Sequence, residues 1–123
     1  YYVQYGHARH CSILRQAPEK GVDHVGFNMA DLSLLKEREE LELLKNISAF
    51  PEMLENAALE LAPHKVIFYL IELAGQFHSY YNKHKVIGED LKLSQARLCL
   101  VEALKIALGN GLRIVGLQAP EKM

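Results

Sequence analysis

The stretch "VIFYLIELAGQFHSYYN", Val66 to Asn82, decides the fold. Val66, Leu70, Leu73, Phe77 and Tyr81 recur at spacings of four, three, four and four, the repeat of one helical face over about five turns. Ile67, Ile71 and Ala74 run as a second stripe beside the first, so the spacing predicts a broad apolar face on a helix central to a bundle. Pro63 suits the first position of that helix. Its most apolar part, Val66 to Gly75, carries a glutamate and is about half the roughly 20 residues that cross a bilayer. Nothing here spans a membrane, and no signal or transit peptide is visible.

Helical patterns continue on both sides. Upstream, Pro51 suits the start of a short helix reaching about Leu61. Asp31 is placed to cap a helix running to about Ile47 with Leu34, Leu41, Leu44 and Ile47 as its stripe. The charge run "KEREELE" is then its solvated face, with Lys36 and Glu40 able to pair one turn apart. The stretch "GVDHVGFNMA" has no period and two glycines, and is expected to be a mobile or partner-contacting loop. From about Tyr1 to Gln16 the pattern is helical again, with Val3, His10, Ile13 and Leu14 inward, and it stops before Pro18 and Gly21. Downstream, Leu98, Val101, Leu104 and Leu108 mark a last long helix from about Leu91 to Leu108, closed by "GNG" at Gly109 to Gly111 as a left-handed cap. The tail from Leu112 is apolar enough to fold back. No repeat and no convincing strand interrupts the series, so the expected architecture is an all-α bundle of about five helices.

A chain of 123 residues, half of them hydrophobic and 24% charged, suits one packed domain over residues 1–123. A formal net charge of -1 gives no global basic field, so a nucleic acid partner has to be held by local patches and stacking. Cys11 and Cys99 sit in apolar helical patterns far from each other, as reduced, buried thiols of a cytoplasmic protein do. The absence of an initiator Met and a start in mid-pattern suggest a fragment of a longer protein.

No GxxxxGK[ST], GxGxxG or GxSxG string occurs, so nucleotide-hydrolysing, dinucleotide-binding and nucleophile-elbow chemistries lack their signatures. His7, His10 and Cys11 share a helical turn and would suit zinc in type, but a closed site needs a fourth ligand that cannot be named. Polar residues at the edge of an amphipathic helix are the simpler account, and no metal site is assigned. Tyr2, Tyr5 and Arg9 are more informative. Two aromatic rings and a guanidinium on adjacent turns make a surface for unstacked bases, with a cation for phosphate. Packing of the tyrosines into the core is the competing reading, because Tyr is often largely buried.

Three blocks carry a family resemblance: "YVQYGHARHCSILR", "FPEMLENAALELAPHKVIFYLIELAGQFHSYYN" and "ARLCLVEALKIALGNGLRIVGLQAPEKM". In this order, with "DLSLLKEREELELL" fitting the second helix between the first two, they resemble the C-terminal domain of arginyl-tRNA synthetases over nearly the whole chain. The resemblance implies a DALR-type anticodon-binding bundle joined to an upstream catalytic domain. It implies tRNA(Arg) as partner, with arginine and ATP, and Mg, used by the full-length ligase. Neither a membrane nor DNA is implied. The ATP-site signatures of the HIGH and KMSKS type are missing here, so the fragment is expected to bind tRNA and catalyse nothing. Carried over by motif, the anticodon contacts fall on Tyr2, Tyr5 and the C-terminal Met123, with Arg9 facing either phosphate or an internal partner. Met123 should come near the opening helix to complete a pocket for an unstacked base, the central cytosine of arginine anticodons. Gly6, His10 and Lys122 depart from the usual Ala, aliphatic and Arg. A helical interaction module that docks a partner helix on the same aromatic face is the alternative.

Overall fold

The computed structural model describes residues 1–123. The chain forms helices α1 (Tyr2–Gln16), α2 (Arg38–Ser48), α3 (Phe50–Leu59), α4 (His64–Lys83) and α5 (Leu91–Ile114), with 3-10 turns at Pro18–Lys20 and Leu32–Leu34 and no strand. No helix is long and apolar enough to cross a membrane. The expected stripe of α4 is its buried one as far as Phe77, with Val66, Leu70, Leu73, Ala74 and Phe77 inside. At the last turn Tyr80 is fully buried and Tyr81 half-buried. Of the second stripe only Ala74 enters the core, and Ile67 and Ile71 stay exposed.

α5 is the spine against which α1, α2 and α4 pack. The expected cap at "GNG" is wrong, because α5 continues through it to Ile114 and the left-handed glycine comes later, at Gly116. The two earlier glycines act by their lack of side chain. A Cβ on Gly111 would stand 2.5 Å from Leu70 Cδ2, and one on Gly109 would stand 3.1 Å from His7 Nε2. They are the places where α4 and α1 come close to α5.

The stretch before α2 differs from expectation for an electrostatic reason. Asp31 caps only the turn Leu32–Leu34, accepting from the Ser33 amide at 3.2 Å. The helix begins at Arg38, where Glu37 and Glu40 form a reciprocal capping box. Glu40 is not on a solvated face and does not pair with Lys36. It is fully buried, accepting from the Tyr80 hydroxyl at 2.5 Å and from Arg97 Nε at 2.8 Å. Arg97 in turn donates to the Lys85 carbonyl at 3.0 Å. Burying a carboxylate is costly unless it is paired and hydrogen-bonded, and this one is bonded on both oxygens, the second accepting from the Glu37 amide. Leu43 takes the inward place expected of Leu41, which is exposed. The network locks α2, α4 and α5 together.

The first residues of the loop after Gly21 are held down, while Phe27 and Met29 farther along it are exposed. Val22 is buried, Gln95 donates to the Asp23 carbonyl at 3.4 Å, and His24 lies 3.8 Å from Glu102 of α5. Cys11 and Cys99 are free and buried.

Candidate nucleic-acid interface

The C-terminal tail runs back along α1, as its apolar composition predicts. Gln4 donates to the Gln118 carbonyl at 3.1 Å, His7 Nδ1 donates to the Pro120 carbonyl at 2.8 Å, and Arg15 donates to the Glu121 carbonyl at 3.1 Å. Three side chains on one side of the same helix thus fix three backbone oxygens of the tail. Met123, the last residue, comes to rest beside the first helix, where it borders a cleft of 540 Å³ with Tyr5, Arg9, Ser12, Arg15 and Lys122. That volume is within the ~300–1,000 Å³ range of small-molecule sites.

Tyr2 and Tyr5 are not core residues. They are 53% and 59% exposed, and Met123 is 59% exposed. Tyr5 is the wall between the first cleft and a second of 240 Å³, which is bordered by Tyr1, Tyr2, Arg9, His10, Phe77 and His78. Tyr5 and Arg9 therefore face both clefts, while Tyr2 faces the second and Met123 the first. An aromatic ring with open space on either side is a stacking platform for flat groups. Arg9 has an internal partner, its guanidinium lying over the Tyr81 ring at 4.7 Å from the centroid. A cation–π contact of this kind contributes about 0.5–2 kcal/mol and fixes the guanidinium at the junction of the clefts. The only acidic side chain bordering the first cleft is Glu121, against Arg9, Arg15 and Lys122.

His7, His10 and Cys11 do not converge. His7 Nδ1 lies 3.9 Å from Cys11 Sγ but bonds the tail. His10 turns to the other side, its Nδ1 donating to the Gly6 carbonyl at 2.6 Å and its ring 4.0 Å from that of Phe77. Burial holds the His10 pKa down from 6.5 to about 4, against the raising effect of the Gly6 bond and with slight repulsion from His7 and Arg9. The ring is neutral, and its Nε2 is a buried acceptor without a partner. Burial also pushes the Cys11 thiol up.

The residues missed from sequence are Ser12 and Arg15, and Phe77 and His78 across the second cleft. Ser12 and Arg15 were legible, since Tyr5, Arg9, Ser12 and Arg15 continue one helical face at spacings of four, three and three. Phe77 and His78 were not, because the sequence does not say which turn of α4 faces α1.

A family model described as the DALR anticodon binding domain matches residues 3–123. The arginine–tRNA ligase of Desulfotalea psychrophila is 62% identical over 123 residues, which cover all of this chain and 22% of that protein. The corresponding ligase of Geobacter metallireducens is 50% identical over the same length, again 22% of its own. The chain therefore spans about a fifth of these curated relatives, 22% in both. Among solved structures, Thermus thermophilus arginyl-tRNA synthetase matches 99% of this chain and 21% of its own at 36% identity and a TM-score of 0.84. With a family match over almost every residue and the same helical fold in a solved relative, the chain belongs to the DALR anticodon-binding domain family.

Proposed function

We propose that this chain, residues 1–123 as one domain, reads the anticodon loop of tRNA(Arg) for an arginine–tRNA ligase of the cytoplasm. The observation that carries it is the cleft joining Tyr5 of the first helix to Met123 at the far end of the chain. An unstacked base lies against the Tyr5 ring, with the flexible, polarizable thioether of Met123 closing over its other face. Tyr2 offers a second ring across the neighbouring cleft, and Arg9, held on Tyr81, neutralises phosphate at the junction. The base is the cytosine shared by arginine anticodons at the central position, told from other bases by edge hydrogen bonds that the stack on Tyr5 holds in register, since stacking alone is tolerant of base identity. No residue of this chain is assigned a catalytic step. Arginine, ATP and Mg are handled by the part of the longer ligase that the chain does not match.

Equilibrium binding of an arginine anticodon stem-loop to the chain and to its Tyr2→Ala and Tyr5→Ala variants tests this. Loss of a base stack costs about 1–3 kcal/mol, so Tyr5→Ala should weaken binding roughly tenfold or more with unfolding unchanged. Equal affinity in all three would refute it. Binding of a peptide helix in place of RNA, with no dependence on salt, would favour an interaction module.

A further inference from the structure

Past the Tyr5 cleft, a separate cleft lies at the end of α1. Gln16 Nε2 donates to Ser12 Oγ at 3.3 Å. Ser12 borders the Tyr5 cleft, and Gln16 borders a third one of 260 Å³, between the end of α1 and the end of α4. Arg9 makes a second junction, because the Tyr81 ring beneath its guanidinium also borders the third cleft. The polar side chains there are Gln16, Lys20, Tyr81, His84 and Lys85, with no carboxylate among them.

Charge is segregated toward this side of the molecule. Of 14 lysines and arginines, Arg38, Lys65, Lys83, Arg97 and Lys105 hold carboxylates. Arg9, Arg15, Lys20, Lys85 and Lys122 hold none, and all of them border the Tyr5 cleft or the third cleft. Only Lys36, Lys45, Lys92 and Arg113 are unpaired elsewhere. In a chain with a net charge of -1, five of the nine cations outside ion pairs thus border these two clefts, and four lie elsewhere.

We propose that the cleft between Lys20 and Lys85 holds the phosphodiester backbone of the RNA strand whose base occupies the Tyr5 cleft; this rests on the anticodon role proposed above. From Tyr5 to Gln16 the helix rises about 16 Å at ~1.5 Å per residue, a length that a single strand covers in a few nucleotides. The strand leaves the base platform at Arg9, passes Ser12 and Gln16, which offer neutral hydrogen bonds, and meets Lys20 and Lys85 one on each side. Lysine suits this part of the path as a point charge on a mobile stem, because phosphate here is neutralised and not read. His84, beside them, is bonded to Glu39 at 3.3 Å.

The test is a salt titration of stem-loop binding by the chain, by Lys20→Ala/Lys85→Ala and by the control Lys36→Ala/Lys45→Ala. For a single strand each phosphate contact contributes about 0.7 to the log–log salt slope. The first pair should flatten the slope by about 1.4 and weaken low-salt binding by tenfold or more, with the preference for a central cytosine kept. The control should leave the slope at the parent value. An unchanged slope in the first pair, or an equal change in the control, would overturn the proposal. Base preference is scored separately on Tyr5→Ala. If Tyr5→Ala loses the preference while the lysine pair changes nothing, the phosphate ledge fails and the anticodon role stands. If Tyr5→Ala keeps the preference, the anticodon role fails and the ledge with it.

Discussion

Replacing His10 with Leu should remove the part of this fold's acid sensitivity that comes from its buried ring. The ring is fully buried against Phe77, with Nδ1 committed to Gly6 and Nε2 facing no partner. Protonation would place a charge where nothing can solvate it, and burial accordingly lowers the pKa from 6.5 to about 4. The unfolded chain takes up this proton as pH falls below about 6.5, while the folded one refuses it until about 4. Stability is therefore full above the unfolded value, falls as the pH drops through the interval, and levels off below the folded value. Linkage at about 1.4 kcal/mol per unit makes the full loss roughly 3 kcal/mol, of which about 2 kcal/mol should be gone between about pH 7.5 and about pH 5. The carboxylates of exposed Asp31 and half-buried Glu39, whose pKa values are lowered by hydrogen bonds, push the same way and are common to both proteins. Urea unfolding of the parent and of His10→Leu at these two pH values isolates the His10 share. Parallel pH profiles, with equal losses in the two proteins, would show that His10 is not held neutral and refute the reasoning.

Three further outcomes follow from packing. Gly6→Ala should stabilise by roughly 0.5–1 kcal/mol, as helix propensity dictates, because the added Cβ would meet Ala74 at 3.6 Å and Leu108 at 3.9 Å, which is ordinary contact; thermal unfolding reads it. Gly111→Ala has no such room against Leu70 and should cost about 1–3 kcal/mol, the usual penalty of overpacking, in the same assay. Glu40→Ala leaves Arg97 and the Tyr80 hydroxyl without their partner, and chemical denaturation should register a loss of about 3–5 kcal/mol; a loss no larger than that of the exposed Glu42→Ala would contradict the network.

Periodicity was enough to find the helices, because each buries an apolar stripe and α4 and α5 do so over several turns. It failed where a polar residue goes inward. Glu40 sits in a run of charges with nothing local to mark it, and its burial follows from Tyr80 and Arg97, which come from two other helices. "GNG" looks like a helix end because glycine commonly supplies one, whereas Gly111 is required by Leu70, a contact between distant segments. Of the site, the residue types and their spacing on α1 were visible. The exposure of Tyr2 and Tyr5 was not, since an aromatic at helical spacing packs inward as readily as it stacks outward. Met123 came from family likeness alone, and its place beside Tyr5 depends on the backbone carbonyls of the tail meeting Gln4, His7 and Arg15. Gly6 has a physical reading as spare room, and His10 as a ring kept neutral by burial.

The most direct test of the base-reading cleft is a matched pair of anticodon stem-loops, differing only in cytosine or uracil at the central position, bound to the chain and to Tyr5→Ala. The parent should prefer cytosine by roughly tenfold or more, the value of about 1–3 kcal/mol for a base contact made or lost, and Tyr5→Ala should bind the two alike. Equal affinity of the parent for both loops, or a preference that survives in Tyr5→Ala, would contradict the role given to the cleft.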